Sequence, residues 1–205
     1  EHASNILPWF ELKETIGIEI DYIKLDENHK VTIDNVKKVL TPNTKVISIA
    51  HITNVVGDVR PIKEIIKLAH ENNIKVLIDG AQSVPHMKID VTDLDMDFLT
   101  FSAHKMCGPT GVGVLYIKED LINDIKPIIY GGGMNSSFEF DGTREYNEMP
   151  HLLEAGTPNI AGVIGFGSVI NYLMKIGMNK IEEYEKDLRK YAIENLVRAY
   201  DCYNR

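Results

Sequence analysis

The chain has 205 residues, which is enough for one large domain with a packed core or for two small domains. Hydrophobic residues make up 44% of it and charged residues 25%, a composition typical of globular proteins that excludes a largely disordered chain. The formal net charge is -8 and the acidic residues are scattered. This argues against nucleic-acid binding, because nucleic-acid-binding proteins carry a basic face.

The apolar segments and the cysteines indicate the compartment. The longest apolar stretch, residues 160–174, is interrupted by glycines and is too short to span a bilayer, so it predicts a buried helix and no membrane anchor. Cys107 and Cys202 are far apart and show no metal-ligand spacing, and the seven histidines form no HExxH pair. The sequence therefore predicts no metal site and a reducing, cytoplasmic environment. Because no methionine precedes Glu1, we expect a fragment of a longer protein.

The first 40 residues are predicted to form two helices separated by a strand. An amphipathic helix is predicted near residues 10–15 and ends at Gly17. Alternating apolar residues over 18–25 predict a strand, and a short helix follows over 32–40.

Three apolar runs predict buried strands, at 45–50, 75–78 and 98–101, and the first of them is rich in β-branched residues. Between the first two, Pro61 begins a helix that ends near residues 72–73. Strands that alternate with helices in this way are typical of a parallel sheet with crossover helices, so the predicted fold class is α/β. Ligands collect at the carboxyl ends of such strands, and Asn54, Asp79 and Lys105 all follow strand ends.

The second half of the chain is predicted to be less regular. Residues 107–113 are predicted to form a glycine-rich turn, 114–117 a strand, 134–150 a polar and mobile loop, and 160–175 and 179–200 two helices. The last helix is amphipathic, and its apolar face consists of Ile181, Tyr184, Leu188, Tyr191, Ala192, Leu196 and Ala199.

Two of the residues at the strand ends suggest cofactor chemistry. The amine of Lys105 can form a Schiff base with an aldehyde, and the carboxylate of Asp79, 26 residues earlier, can pair with a protonated heterocyclic nitrogen. Together they are the minimum apparatus of a pyridoxal phosphate (PLP) enzyme. Taken singly, each has a plainer interpretation: a lysine after a strand is usually solvated, and an aspartate there usually caps a loop.

Six short strings resemble one family and are distributed over most of the chain. They are residues 1–9 (EHASNILPW), 50–57 (AHITNVVG), 79–82 (DGAQ), 102–105 (SAHK), 108–111 (GPTG) and 154–159 (EAGTPN). The chain resembles the class V aminotransferase-like PLP enzymes, and within them the cysteine desulfurases of the SufS and selenocysteine lyase type. The resemblance implies the type I PLP-dependent transferase fold, with a parallel-rich sheet of the large domain flanked by helices.

The resemblance also implies a role for each matching residue. It assigns the Schiff base to Lys105, the partner of the pyridine nitrogen to Asp79, and stacking on the ring with proton transfer to His2. Contacts with the cofactor's other groups are implied for two further sets of residues. Gln82 and Asn54 would reach the ring hydroxyl, Ser102 and His104 would bind the phosphate, and Thr157 would reach the partner subunit's phosphate across a homodimer.

In the family that the chain resembles, L-cysteine is converted to L-alanine and an enzyme persulfide. A sulfur-acceptor protein takes the persulfide sulfur and passes it to iron–sulfur cluster assembly. The resemblance places residues 1–175 in the central part of the PLP-binding domain, and 176–205 in a helix that leads towards a small C-terminal domain. The family's nucleophilic cysteine and carboxylate-binding arginine belong to that small domain, and neither Cys107 nor Cys202 matches the nucleophile's motif. Two alternatives stay open: a selenocysteine lyase or other class V lyase or aminotransferase, and a non-catalytic PLP-fold dimerisation module.

Overall fold

The structure, a computed structural model, describes residues 2–203, with side chains described to residue 197. Glu1 and the thiol of Cys202 lie outside the described parts. In chain order the elements are α1 (Ala3–Ile16), α2 (Ile33–Val39), β1 (Val46–Ala50), α3 (Ile62–Glu71), β2 (Lys75–Asp79), β3 (Phe98–Ser102), β4 (Gly113–Ile117), β5 (Asn135–Phe138), β6 (Arg144–Tyr146), α4 (Ile160–Ile176) and α5 (Met178–Tyr203). Short 3-10 helices follow β3, β4 and β6, at Ala103–Met106, Glu119–Asp124 and His151–Leu153.

The central sheet has the order β1-β2-β3-β4. β1 pairs with β2 and β2 with β3 in parallel, whereas β4 runs antiparallel to β3. Asp79 lies opposite Ala50 on one side and Thr100 on the other. The carboxyl ends of the first three strands therefore meet at one edge of the sheet, as expected for the predicted α/β class.

The core lies between the sheet and the helices α2 and α3. Its fully buried side chains come mostly from the β-branched runs and from one face of α3, and they include Ile49, Ile62, Ile65, Ile66, Val76 and Ile78. Burying each such side chain stabilises the fold by about 1.5–3 kcal/mol relative to leaving it exposed. This explains why the apolar runs of the sequence predict the strands closely.

The N-terminal segment differs from its prediction in two ways. α1 already begins at Ala3 rather than near residue 10, with Pro8 inside its first half, and it ends at Gly17 as predicted. The predicted strand over 18–25 is wrong, because that segment pairs with no strand among residues 2–203. Alternating residues are thus insufficient for a strand where no neighbour supplies backbone hydrogen bonds.

The predicted mobile loop over 134–150 is also wrong, since β5 and β6 form an antiparallel hairpin there. In its turn the Thr143 N–H donates to Asp141 Oδ1 at 2.8 Å, and Gly142 has a φ of 89°. The Thr143 hydrogen bond lowers the pKa of the Asp141 carboxyl. The Asp-Gly pair is a recognised hairpin signal that the polar composition of the tract conceals.

Helix α4, predicted to be buried, is largely exposed. Only Gly162, Phe166 and Leu173 are buried, whereas Ile164 and Met174 are 68% and 71% exposed. The apolar face predicted for α5 is exposed in the same way at Tyr184, Leu188, Tyr191 and Leu196. Among the described residues no single helix combines the length and apolarity needed to cross a bilayer; only α4 and α5 together, bent by 73°, meet that test.

A buried carboxylate at the opposite end of the sheet ties β2, β3 and α3 together. Asp97 is 1% exposed, and its Oδ2 accepts hydrogen bonds from the Val76 N–H at 2.8 Å and from His70 Nε2 at 2.9 Å. His70 Nδ1 lies 3.0 Å from Asp95, whose pKa is lowered chiefly by a hydrogen bond from Lys118. The sequence offered no local signal for this cluster, because its members are far apart along the chain.

Replacing Asp97 by alanine is expected to destabilise the protein by about 3 kcal/mol, because the variant leaves the buried Val76 N–H without an acceptor. Urea unfolding followed by circular dichroism measures this change. The matched control is Asp93→Ala, which removes an exposed ion pair with Lys63 and should cost less than about 1 kcal/mol. Equal losses in the two variants would contradict a structural role for the buried carboxylate.

Candidate active site

Lys105 lies on a rigid 3-10 turn directly after β3. The turn is closed by two hydrogen bonds to Ala103: its N–H donates to Val112 O at 3.0 Å, and its carbonyl accepts from the Gly108 N–H at 2.9 Å. Ala103 and Met106 are buried against Phe166 of α4, so the residues on either side of Lys105 are held by packing. Within residues 2–197 the Lys105 amine has no hydrogen bond or ion pair, which leaves it available to a ligand.

Asp79 ends β2 at the centre of the same sheet edge. Its backbone carbonyl accepts from the His51 N–H at 3.0 Å, and its Oδ1 accepts from the Ala81 N–H at 3.0 Å. No hydrogen bond from the described residues reaches its other carboxylate oxygen. One oxygen is therefore fixed by the backbone, and the second can receive a proton donor from a ligand.

Close packing explains why the residue after Asp79, Gly80, is a glycine. A Cβ at this position would lie 2.6 Å from Leu99 Cδ1 and 2.9 Å from Val84 Cγ2, closer than carbon atoms approach in proteins. The Gly80 N–H also donates to Thr100 O at 2.8 Å, which holds the loop against β3. The close packing of Gly80 thus holds the Asp79 carboxylate in place at the end of β2.

Two amides from neighbouring loops meet beside Asp79. Gln82 Nε2 donates to Asn54 Oδ1 at 2.5 Å, although the two residues are 28 apart in sequence. An amide group whose oxygen is engaged in this way keeps its NH₂ group for another acceptor. The predicted pairing of these two residues at one site is consistent with this contact.

His2 reaches the site from the start of α1. It is the N-cap residue of that helix, and its Nδ1 accepts from the Ser4 N–H at 3.2 Å. The one buried residue of α1 is Asn5, whose Oδ1 accepts from Ser48 Oγ of β1 at 2.5 Å. Asn5 thereby docks the helix that carries His2 on the sheet. Asn5 had no predicted role, because the helix was expected to begin only near residue 10.

These side chains line one cavity of about 520 Å³. Of the eight residues predicted for the site, the cavity brings seven together: His2, Asn54, Asp79, Gln82, Ser102, His104 and Lys105. Thr157 is not among the lining residues; it is exposed in the loop before α4, and its role across a subunit interface stays a prediction. Lining residues without a predicted role include Asn5, Trp9 and Thr100.

His51 directly follows β1 and is 6% exposed. Burial lowers its pKa, so the imidazole is neutral at pH 7. The backbone of His51 connects the end of β2 with the loop that carries Asn54. Its N–H donates to Asp79 O, and its carbonyl accepts from the Arg60 N–H at 2.9 Å. Its role in the described structure is therefore to hold the Asp79 strand end beside the loop that carries Asn54.

The cavity has the donor set that PLP requires. An amine, a carboxylate with one oxygen not hydrogen-bonded, a pair of amides, and a hydroxyl with an imidazole all face a space large enough for a substituted pyridine ring. Lys105, Ser102 and His104 make no side-chain hydrogen bonds with other described residues, so their polar atoms are free for the cofactor. The residues present therefore fit the cofactor predicted from the sequence.

The chain resembles known proteins along its whole length. Residues 1–205 match the model of the family described as Aminotransferase class-V. Over 96% of its length the chain is 43% identical to a probable cysteine desulfurase of Halalkalibacterium halodurans, of which it covers 48%. Over 98% of its length it is 38% identical to a cysteine desulfurase of Haloferax volcanii, of which it covers 47%.

Two solved structures show the same backbone arrangement. The cysteine desulfurase CsdA from Escherichia coli superposes with a TM-score of 0.92 at 34% identity, over 96% of this chain and 49% of that one. The apo structure of a cysteine desulfurase from Thermococcus onnurineus NA1 gives 0.91 at 36% identity, over 97% and 49%. The chain spans about half the length of the relatives it matches. The predicted fold and cofactor class are confirmed, and the chain belongs to the aminotransferase class-V family of PLP-dependent proteins.

Proposed function

We propose that the chain is the cofactor-holding part of a PLP-dependent cysteine desulfurase, which converts L-cysteine to L-alanine and leaves the sulfur as a persulfide. The observation that carries the proposal is the convergence of Asp79 and Lys105 on one cavity, in a chain whose relatives are named cysteine desulfurases. Residues 1–175 would form the central part of the PLP-binding domain. Residues 176–205 would lead towards a smaller domain.

When bound, PLP supplies an electron-poor ring that stabilises negative charge at the substrate Cα. Lys105 would hold the cofactor through its amine and, once released by substrate, would move a proton at that carbon. Asp79 would hold the proton on the ring nitrogen with its free carboxylate oxygen. The rigid turn around Lys105 and the backbone hydrogen bond to Asp79 support these roles, because both groups are oriented before a ligand arrives.

The remaining side chains would orient the ring and the phosphate. Asn54 and Gln82 would donate to the ring hydroxyl oxygen, and Ser102 and His104 would bind the phosphate oxygens. The availability of these groups supports the assignment, since the hydrogen bond between Asn54 and Gln82 leaves amide protons to donate.

His2 would cover one face of the ring and assist proton transfer. Its position at the N-terminus of α1, on the rim of the cavity, supports a contact that excludes water from that face. Thr157 would complete the phosphate site of a partner subunit, which makes the protein a homodimer. We further propose a cytoplasmic location and a sulfur-acceptor protein that passes sulfur to iron–sulfur cluster assembly.

The test uses protein expressed from the complete reading frame. We expect a yellow protein with a visible absorbance band that forms L-alanine from L-cysteine, measured by amino-acid analysis together with sulfide released by a thiol reductant. Selenocysteine as the alternative substrate distinguishes a lyase that prefers selenium. A colourless protein that takes up no PLP would contradict the proposal and favour a non-catalytic dimerisation module.

A further inference from the structure

The loop that carries Asn54, residues 52–59, is held by contacts at its base, whereas its tip is exposed. Ile52 and Val59 form an isolated antiparallel bridge across the base. The tip residues Val55 and Val56 are 91% and 79% exposed, so no packing among the described residues holds them. The position of Asn54 therefore depends on its hydrogen bond with Gln82 and on the contacts made at the base of the loop.

Asp58 makes two of those base contacts, both with Thr53. The Thr53 N–H donates to Asp58 O at 3.1 Å, and the Asp58 N–H donates to Thr53 Oγ1 at 2.9 Å. These two hydrogen bonds join Asp58 to Thr53, the residue immediately before Asn54. A change in the backbone position of Asp58 would therefore be transmitted directly to Asn54.

The side chain of Asp58 is itself anchored. Asp58 is 8% exposed, and its carboxylate pairs with the ammonium of Lys30. Lys30 is presented by a turn in which Asp26 Oδ1 accepts from the N–H groups of Asn28 at 2.9 Å and of Lys30 at 2.8 Å. A buried carboxylate needs such a partner, because an uncompensated charge in the interior is strongly destabilising.

We propose that Asp58, paired with Lys30, is a positioning residue that orients Asn54 towards the cofactor's ring hydroxyl. The inference rests on the proposed function for its cofactor, whereas the ordering of the loop rests on the contacts alone. The ion pair with Lys30 fixes the position of Asp58, and the hydrogen bonds of Asp58 fix Thr53. Asn54, the next residue, is then held where its amide contacts Gln82. A donor held in this way loses less conformational freedom when the ring binds.

The test compares Asp58→Asn and Lys30→Met in the complete holoenzyme with Lys63→Met, which removes an exposed pair elsewhere on the surface. We expect both variants to keep the visible band but to release PLP about tenfold faster, a coupling of ordinary size for contacting residues. The pH at which the visible absorbance band is half-changed should shift in the same direction in these two variants as in Asn54→Ala. The Lys63→Met control should match the unmodified protein in both measurements.

A second readout follows amide hydrogen exchange of residues 53–58 in protein freed of PLP. We expect faster exchange in Asp58→Asn and Lys30→Met, and no change in Lys63→Met. Lower thermal stability with an unchanged band midpoint and unchanged loop exchange would overturn the positioning role. Failure of the unmodified protein to take up PLP would overturn the proposed function, and the exchange measurement would still decide whether the pair orders the loop.

Discussion

Replacing Lys105 by alanine is expected to abolish the visible absorbance band of the PLP-loaded protein and to lower L-cysteine turnover by at least about 10²-fold. The estimate follows from the proton transfer alone, since a positioned acid–base side chain contributes about 10²–10⁴-fold. The loss of covalent attachment adds to that effect. Absorbance spectra after dialysis and alanine formation measure the two consequences separately.

The variant should keep its fold, because the turn around Lys105 is held by Ala103, Met106 and backbone hydrogen bonds rather than by the lysine side chain. Lys105→Arg is the charge-conserving comparison: it retains a cation near the cavity, but its guanidinium stays protonated and is unsuited to bind an aldehyde. We expect it to lose the band as well. A Lys105→Ala protein that kept both the band and its turnover would refute the assignment.

The part of the site that could be derived from the sequence lies where local composition decides the structure. Apolar runs form β1, β2 and β3, and a parallel arrangement brings their carboxyl ends to one edge. Asp79 ends β2 and Lys105 lies shortly after β3, so their placement at one edge of the sheet follows from topology alone. For the same reason a one-residue error in a strand boundary does not change which edge they occupy.

Contacts that join distant segments had no local signal. The hydrogen bond from Ser48 to Asn5 spans 43 residues, and the one from His70 to Asp97 spans 27. Asn5, His70 and Asp97 had no local signal of burial, because burial of such polar groups depends on a partner supplied by another element. Asp58 belongs to the same class, since only the pairing with Lys30 distinguishes it from an exposed loop aspartate.

The exposure of α4 and α5 was predictable only if the surroundings of those helices were known. Ile164 and Tyr184 carry the periodicity of a buried face, yet both are 68% exposed in the described chain. Hydrophobic periodicity indicates which face of a helix avoids water, but it does not indicate which protein surface covers that face. The sequence therefore predicted both helices, but it did not predict that their apolar residues are exposed, and the predicted burial of α4 is wrong.

Replacing Asp79 by asparagine is expected to leave the fold and the PLP band in place while turnover of L-cysteine falls about 10- to 100-fold. Asparagine keeps an oxygen that can accept from the Ala81 N–H but carries no negative charge to hold a proton on the ring nitrogen. Its NH₂ group would then face the ring nitrogen and could not accept a hydrogen bond, so a hydrogen bond to a charged group, worth about 1.5–3 kcal/mol, is lost; every 1.4 kcal/mol changes a rate about tenfold. Asp79→Ala also removes the acceptor for Ala81 and should lose most of the activity.

Two comparisons separate the lost charge from general damage to the sheet edge. Asp93→Asn neutralises an exposed aspartate away from the cavity, and it should keep full turnover. Asp97→Asn disturbs a buried carboxylate at the opposite end of the sheet, so it should lower stability in urea without lowering turnover per folded molecule. Near-normal turnover in Asp79→Asn would mean that the ring nitrogen does not require an anionic partner, and the pairing of Asp79 with Lys105 would then no longer support a PLP site.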